Sequence, residues 1–192
     1  MNAICRGNTQ DLTRTELTET LFLYEYIACM HAYDGWIPHL VTFLFKDMPN
    51  TSEANRVRIM AGQIEAFYKK LITHVVRRPR TQPCPILIAA PDMPVPKTEK
   101  KEANYPFAND GLHFHAILLL PPTNRLKEPL SAHIQTKWRA YQGPDTLFFS
   151  IDVEPIQETP SKAVQYVLKS ISRRRFTYDD GILLLPRAIS EL

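Results

Sequence analysis

The run HFHAILLL, residues 113–120, constrains this 192-residue chain most. It is short, almost wholly apolar and closed by Pro121-Pro122, which is the pattern of a buried strand rather than of a helix. Side chains alternate along a strand, so His113 and His115 share one face while Phe114, Ala116 and Leu118 take the other. Two imidazoles on one face can converge on a single metal ion. Alone, such a pair is weak evidence, because packing or surface hydrogen bonding is the commoner fate of a His-x-His in an apolar strand.

The flanking sequence predicts a small α+β unit. Residues 11–33 lack Pro and Gly and place Leu17, Leu21, Tyr24 and Ala28 at helical spacing. HLVTFLF, residues 39–45, is β-branched and aromatic between Pro38 and a turn cluster, and predicts the first strand. Asn50 and Glu53 resemble a capping pair ahead of Val57, Met60, Ile64, Phe67, Leu71 and Val75, which mark a long amphipathic helix. PILIAA, after Cys84, predicts a second strand. Residues 91–111, with four prolines and a dense run of charges, predict a long exposed loop of the kind that often serves a site.

After HFHAILLL, SAHIQTKWRAY predicts a helix. TLFFSIDVE predicts a strand in which Leu147, Phe149, Ile151 and Val153 share one face. A last helix is expected with Thr159 as N-cap and Pro160 at its first position. The expected architecture is a mostly antiparallel sheet of four to five strands, covered on one face by helices. It divides into an N-terminal helical segment (1–35), a central unit (36–176) and a tail (177–192) whose GILLLP forms an edge strand or a partner-binding element, all within one structural domain.

Length and 44% hydrophobic content suit one core. Net charge is only +3, but cations cluster in VVRRPR and above all in ISRRRF. Cys5, Cys29 and Cys84 lack the spacing of a zinc knuckle or disulfide scaffold, which fits a reducing compartment. No apolar run approaches the ~20 residues of a membrane span, so a soluble protein of the cytoplasm or nucleoid is expected.

On the last helix, Val164, Val167, Leu168 and Ile171 form one apolar stripe, and Tyr166 falls on the opposite side with Lys162, Lys169, Ser170 and Arg173. A core tyrosine would sit in the stripe. A phenol titrates near pH ~10 and needs a metal ion or nearby positive charge to act as a nucleophile at neutral pH. Ions held by the histidines and the ammonium of Lys169 are candidates for both.

Together, HFHAILLL and the later YVLK resemble the two motifs of HUH endonucleases, specifically the single-tyrosine initiators of rolling-circle replication in plasmids and small viruses. The histidines precede the tyrosine, an order similar to that of initiators and single-tyrosine transposases. The resemblance implies a metal-dependent nickase acting on single-stranded DNA at an origin. In it Tyr166 is the nucleophile, Lys169 the accessory lysine, and His113 and His115 ligands to a divalent ion, Mn²⁺ or Mg²⁺, with Zn²⁺ able to enter in vitro. It also implies a covalent 5′-phosphotyrosine, a free 3′ hydroxyl and later strand rejoining. No GxxxxGK[ST] occurs, so a separate host helicase is an expected partner. The alternatives are a transposase acting on element ends, a noncatalytic origin-binding or replication-control protein, and a small metal-binding structural protein.

Members of that family complete the metal site with a third polar ligand. If strands two and three pair as a hairpin, Asp92 is nominated; pairing of strands one and three nominates Asp47. Glu102 and Asp110 lie in the loop and can fold back. Arg173, Arg174 and Arg175 are candidate contacts to the DNA backbone, with a solvated helix end as the equal alternative. His31, His39, His74, His133, Trp36 and Trp138 have no partner spacing and are given no role.

Overall fold

A computed structural model describes residues 34–93, 108–157, 160–173, 175–176 and 182–187. The expected helix at 11–33, the Thr159 N-cap, Glu102 and Arg174 lie outside the described residues. The elements are β1 (Ile37–Phe45), α1 (Glu53–Val75), β2 (Ile86–Asp92), a short turn at Ala108–Gly111 and β3 (His113–Leu120). They are followed by α2 (Leu130–Thr136), α3 (Trp138–Gln142), β4 (Phe148–Pro155), α4 (Pro160–Val167), α5 (Lys169–Ser172) and β5 (Leu183–Leu185).

The five strands form one antiparallel sheet in the order β4-β1-β3-β2-β5. β3 lies in the middle, and every residue of it from Phe114 to Leu120 is buried, which explains why its sequence is a continuous apolar run. Leu183–Leu185 pairs with the free edge of β2, so of the two roles open to GILLLP the edge strand is the one seen.

Helices cover both faces, not one. Val57, Met60, Ile64, Phe67 and Leu71 of α1 pack with residues of α2 and α3 on Val41, Phe43, Phe45, Phe114, Ala116 and Leu118. On the opposite face Val164 and Val167 of α4, Ile171 of α5 and Leu168 between the two helices cover Ile88, Ala90, Ile117 and Leu119. The apolar alternation of β2 and β3 requires this, since neither strand has a polar face to give to water.

Three other local expectations are corrected. The N-cap of α1 is Ser52, with no side-chain cap bond, while Asn50 adopts a left-handed φ of 61° in the preceding turn, a conformation Asn tolerates. The segment 130–142 divides into two short helices at Lys137. The last helix breaks at Leu168, whose φ and ψ are −90° and 7°.

β4 departs from simple alternation as well. Its register against β1 shifts between Leu44 and Phe45, pairing Phe45 with Phe148 and Leu44 with Ser150, so Phe149 is an extra residue. Phe148 therefore joins Phe43, Phe45 and Phe67 in the core, and Phe149 is 71% exposed. We expect Phe148→Ala to destabilise the protein by about 3–5 kcal/mol and Phe149→Ala by no more than about 0.5 kcal/mol in urea titration. The reverse ranking would place the strand in the unbulged phase.

Candidate metal centre

Antiparallel pairing of β2 with β3 sets Asp92 opposite His113 and Ala90 opposite His115. Residues directly opposite on neighbouring strands point to the same face, so the end of β2 delivers a carboxylate beside both imidazoles. The ligand atoms of Asp92, His113 and His115 lie within 4.8 Å of one another. Asp92 Oδ2 is 3.6 Å from each Nε2, and the two Nε2 atoms are 3.0 Å apart.

Two of the other nominated carboxylates are engaged elsewhere, and Glu102 lies outside the described residues. Asp47 accepts the backbone N–H of Asn109, and Asp110 pairs with Arg56 at 2.9 Å.

The remaining ring nitrogens orient the pair. His113 Nδ1 is 2.7 Å from the carbonyl of Gly111. A carbonyl only accepts, so Nδ1 carries the proton and the neutral ring presents a lone pair at Nε2. Gly111 reaches that position through a left-handed φ of 82°, after two more left-handed residues, Asn109 and Asp110. The buried Asn109 holds this turn, donating from Nδ2 to the carbonyls of Phe45 and Lys46 and accepting from the N–H of Met48. His115 Nδ1 is 3.1 Å from Thr42 Oγ1, the residue abreast of it on β1.

This donor set fits a cation. Metal-bound histidines commonly bond their second nitrogen to a carbonyl or other polar partner, as both do here. Two nitrogens each ~2.1 Å from one ion and at right angles lie about 3.0 Å apart, the spacing seen between the two Nε2 atoms. A buried Asp92-His113-His115 cluster thus can hold a metal ion.

Electrostatics support the ligand forms. Burial pushes the Asp92 carboxyl up, but the hydrogen bonds from Lys169 and Ser170 together with the Lys169 charge outweigh it and hold the group below the usual carboxylate range. Burial, helped by His113 and Lys169, lowers His115 to about 4 against the opposing pull of Asp92. The carboxylate is ionised and this imidazole neutral at neutral pH, the forms that bind metals.

A stability consequence follows from His115. Unfolded, its imidazole takes a proton near pH ~6.5; folded, it resists protonation until about pH 4. Between those values the unfolded chain binds the extra proton, so stability is full above ~6.5 and falls as pH drops toward 4, by about 3 kcal/mol at most. His39 and His133, also lowered by burial, act in the same direction. Urea titrations of chelator-treated protein across this window check it: His115→Gln reduces the slope, and an unchanged slope refutes the assignment.

The tyrosine helix meets this cluster from the opposing layer. Tyr166 is 44% exposed, yet its hydroxyl is 3.3 Å from His115 Nε2 and its ring lies 4.9 Å from that imidazole. Lys169 Nζ sits 4.0 Å from the centre of the Tyr166 ring and 2.8 Å from Asp92 Oδ2. Ser170, 1% exposed, donates from Oγ to Asp92 Oδ1. The structure thus brings together His113, His115, Tyr166, Lys169 and Asp92.

Arg173 is exposed at the end of α5, and Arg175 donates from its guanidinium to the carbonyl of Met93. No family model matches the chain, and no curated protein or solved structure matches it either. No helix among the described residues is long and apolar enough to cross a membrane.

Sequence reasoning assigned no part to Thr42, Gly111 or Ser170. Thr42 carries a signal in retrospect: it is the one hydroxyl in LVTFLF and stands level with His115 once β1 and β3 pair. Gly111 acts through a carbonyl that side-chain patterns do not encode, and Ser170, on the Tyr166 side by its spacing, acts through a hydroxyl whose acceptor lies on a distant strand.

Proposed function

We propose that this chain is a metal-dependent nickase of single-stranded DNA, of the HUH type, that initiates rolling-circle replication at an origin. The observation that carries the reading is the placement of the Tyr166 phenol 3.3 Å from His115 Nε2, with Lys169 bridging the phenol ring and Asp92. A tyrosine kept for packing would lie in the buried stripe of Val164, Val167 and Leu168. A purely structural metal site would have no use for an exposed phenol and an ammonium at its rim.

Asp92, His113 and His115 would hold a divalent ion, Mn²⁺ or Mg²⁺. When bound, it supplies charge that offsets the negative charge developing on a phosphate oxygen during displacement. The chain's own residues do the rest. Tyr166 Oη gives up its proton to water and attacks the phosphorus, the new O–P bond forms as the bond to the 3′ oxygen breaks, and the departing 3′ oxygen takes up a proton from water. Lys169 places positive charge beside the phenol ring and draws the phosphodiester toward it. The 5′ phosphate stays on Tyr166, and attack by a 3′ hydroxyl reverses the step and rejoins the strand. Arg173, exposed one turn beyond Lys169, would meet the backbone of the incoming strand. A separate helicase would open the duplex.

Labelled single-stranded oligonucleotides tiling the genetic element that encodes the chain, incubated with the protein and Mn²⁺, test the proposal on a denaturing gel. A labelled protein band removed by chelator supports it. Oligonucleotides that bind without cleavage or adduct across Mn²⁺, Mg²⁺ and Zn²⁺ would shift the reading to a noncatalytic origin-binding protein.

A further inference from the structure

Both oxygens of Asp92 are spoken for, and by consecutive residues. Lys169 reaches Oδ2 and Ser170 donates to Oδ1. They stand three and four residues beyond Tyr166, the spacing that sets both on its side of the helix. The break at Leu168 falls between Tyr166 and this pair. Ser170 is buried while Lys169 stays partly in water, so the hydroxyl is the fixed half of the clamp.

The consequence lies in which oxygen is left for an ion. Oδ2 is the oxygen 3.6 Å from both imidazole Nε2 atoms. The Ser170 hydroxyl ties Oδ1 to α5, so the oxygen the carboxylate turns toward the two imidazoles, and toward a cation between them, is Oδ2. From this geometry we infer that Ser170 is a positioning residue that enforces one-oxygen ligation by Asp92 and so sets both the affinity and the size selectivity of the metal centre. This rests on the metal reading of the same site.

One-oxygen ligation suits small ions that demand near-octahedral geometry, such as Mg²⁺, whereas Ca²⁺ readily accepts both oxygens of a carboxylate in a larger, looser shell. Losing Ser170 Oγ frees Oδ1 to rotate and chelate. It also removes an outer partner of a metal ligand, a change that typically weakens binding by about 10–100-fold.

The test is titration calorimetry of the full chain with Mn²⁺, Mg²⁺ and Ca²⁺ for wild type, Ser170→Ala and Ser170→Thr, each first checked for folding by its metal-free melting curve. We expect Ser170→Ala to bind Mn²⁺ and Mg²⁺ about tenfold or more weakly, with Ca²⁺ affected less, so that the Mg²⁺/Ca²⁺ affinity ratio falls. Ser170→Thr, which keeps the donor, should restore the ratio. Should Ser170→Ala not fold, Ser170→Cys, similar in shape and a poor donor, takes its place with the same expectation. A merely structural serine would lower the melting temperature and leave the ratio alone. Unchanged affinities and ratio in the variant overturn the inference and leave the metal centre standing. Failure of the wild type to bind any of the three ions overturns both.

Discussion

Tyr166→Phe is expected to abolish the protein–DNA adduct and lower nicking more than about a thousandfold, while metal and single-stranded DNA binding stay within about threefold of wild type. The separation of effects is the point. The Tyr166 hydroxyl has His115 as its partner in the cluster, and the residue is 44% exposed, so removing one oxygen leaves the fold unstrained and the stability within about 0.5 kcal/mol. None of the three candidate metal ligands is altered. If the phenol served packing or orientation of His115 alone, the phenylalanine variant would retain most of its cleavage, and the loss would appear in metal affinity instead. Adduct yield, metal titration and fluorescence anisotropy on one preparation distinguish the two.

The second large effect is expected at Asp92. Asp92→Ala removes a candidate metal ligand, leaves the Lys169 ammonium without its counter-ion and leaves the buried Ser170 hydroxyl without its acceptor. We expect Mn²⁺ affinity to fall at least about a hundredfold and stability at pH 7 to drop by about 2–4 kcal/mol. The stability loss is pH dependent with a definite sign. The Asp92 carboxyl is held below its ordinary range in the fold, so its contribution is fully present above the unfolded value near ~3.9 and is lost as pH falls through the folded value. Wild type and Asp92→Asn should therefore differ most near neutrality and converge in strong acid. Parallel urea curves with a constant gap from pH 7 to pH 2 would mean that the ionised carboxylate contributes nothing.

How much of this was legible in the sequence depends on whether the information is local. The strand at 113–120 and the shared face of His113 and His115 follow from a two-residue period and held without adjustment. So did the separation of Tyr166 from the buried stripe of Val164, Val167, Leu168 and Ile171. Asp92 was one of four nominees because strand pairing is a long-range choice. In the fold β3 pairs with both β1 and β2, which satisfies both proposed pairings, and among the described nominees side-chain partners separate them: Asp47 caps the turn at Asn109 and Asp110 meets Arg56.

The misreadings share a cause. Unbroken alternation puts Phe149 on the buried face of β4, but a single bulged residue inverts the phase upstream of it. The second helical layer was missed because a buried strand such as HFHAILLL reads the same whichever elements cover it. The break at Leu168 left no Gly or Pro to mark it.

The most direct test of the central claim is mass spectrometry of the protein after reaction with Mn²⁺ and a cleaved single-stranded oligonucleotide, followed by nuclease trimming and tryptic digestion. The account predicts that the peptide spanning 163–169 carries a nucleotide joined through its 5′ phosphate to Tyr166. Cleaved DNA alongside an unmodified 163–169 peptide, or a nucleotide attached at any other residue, would contradict it.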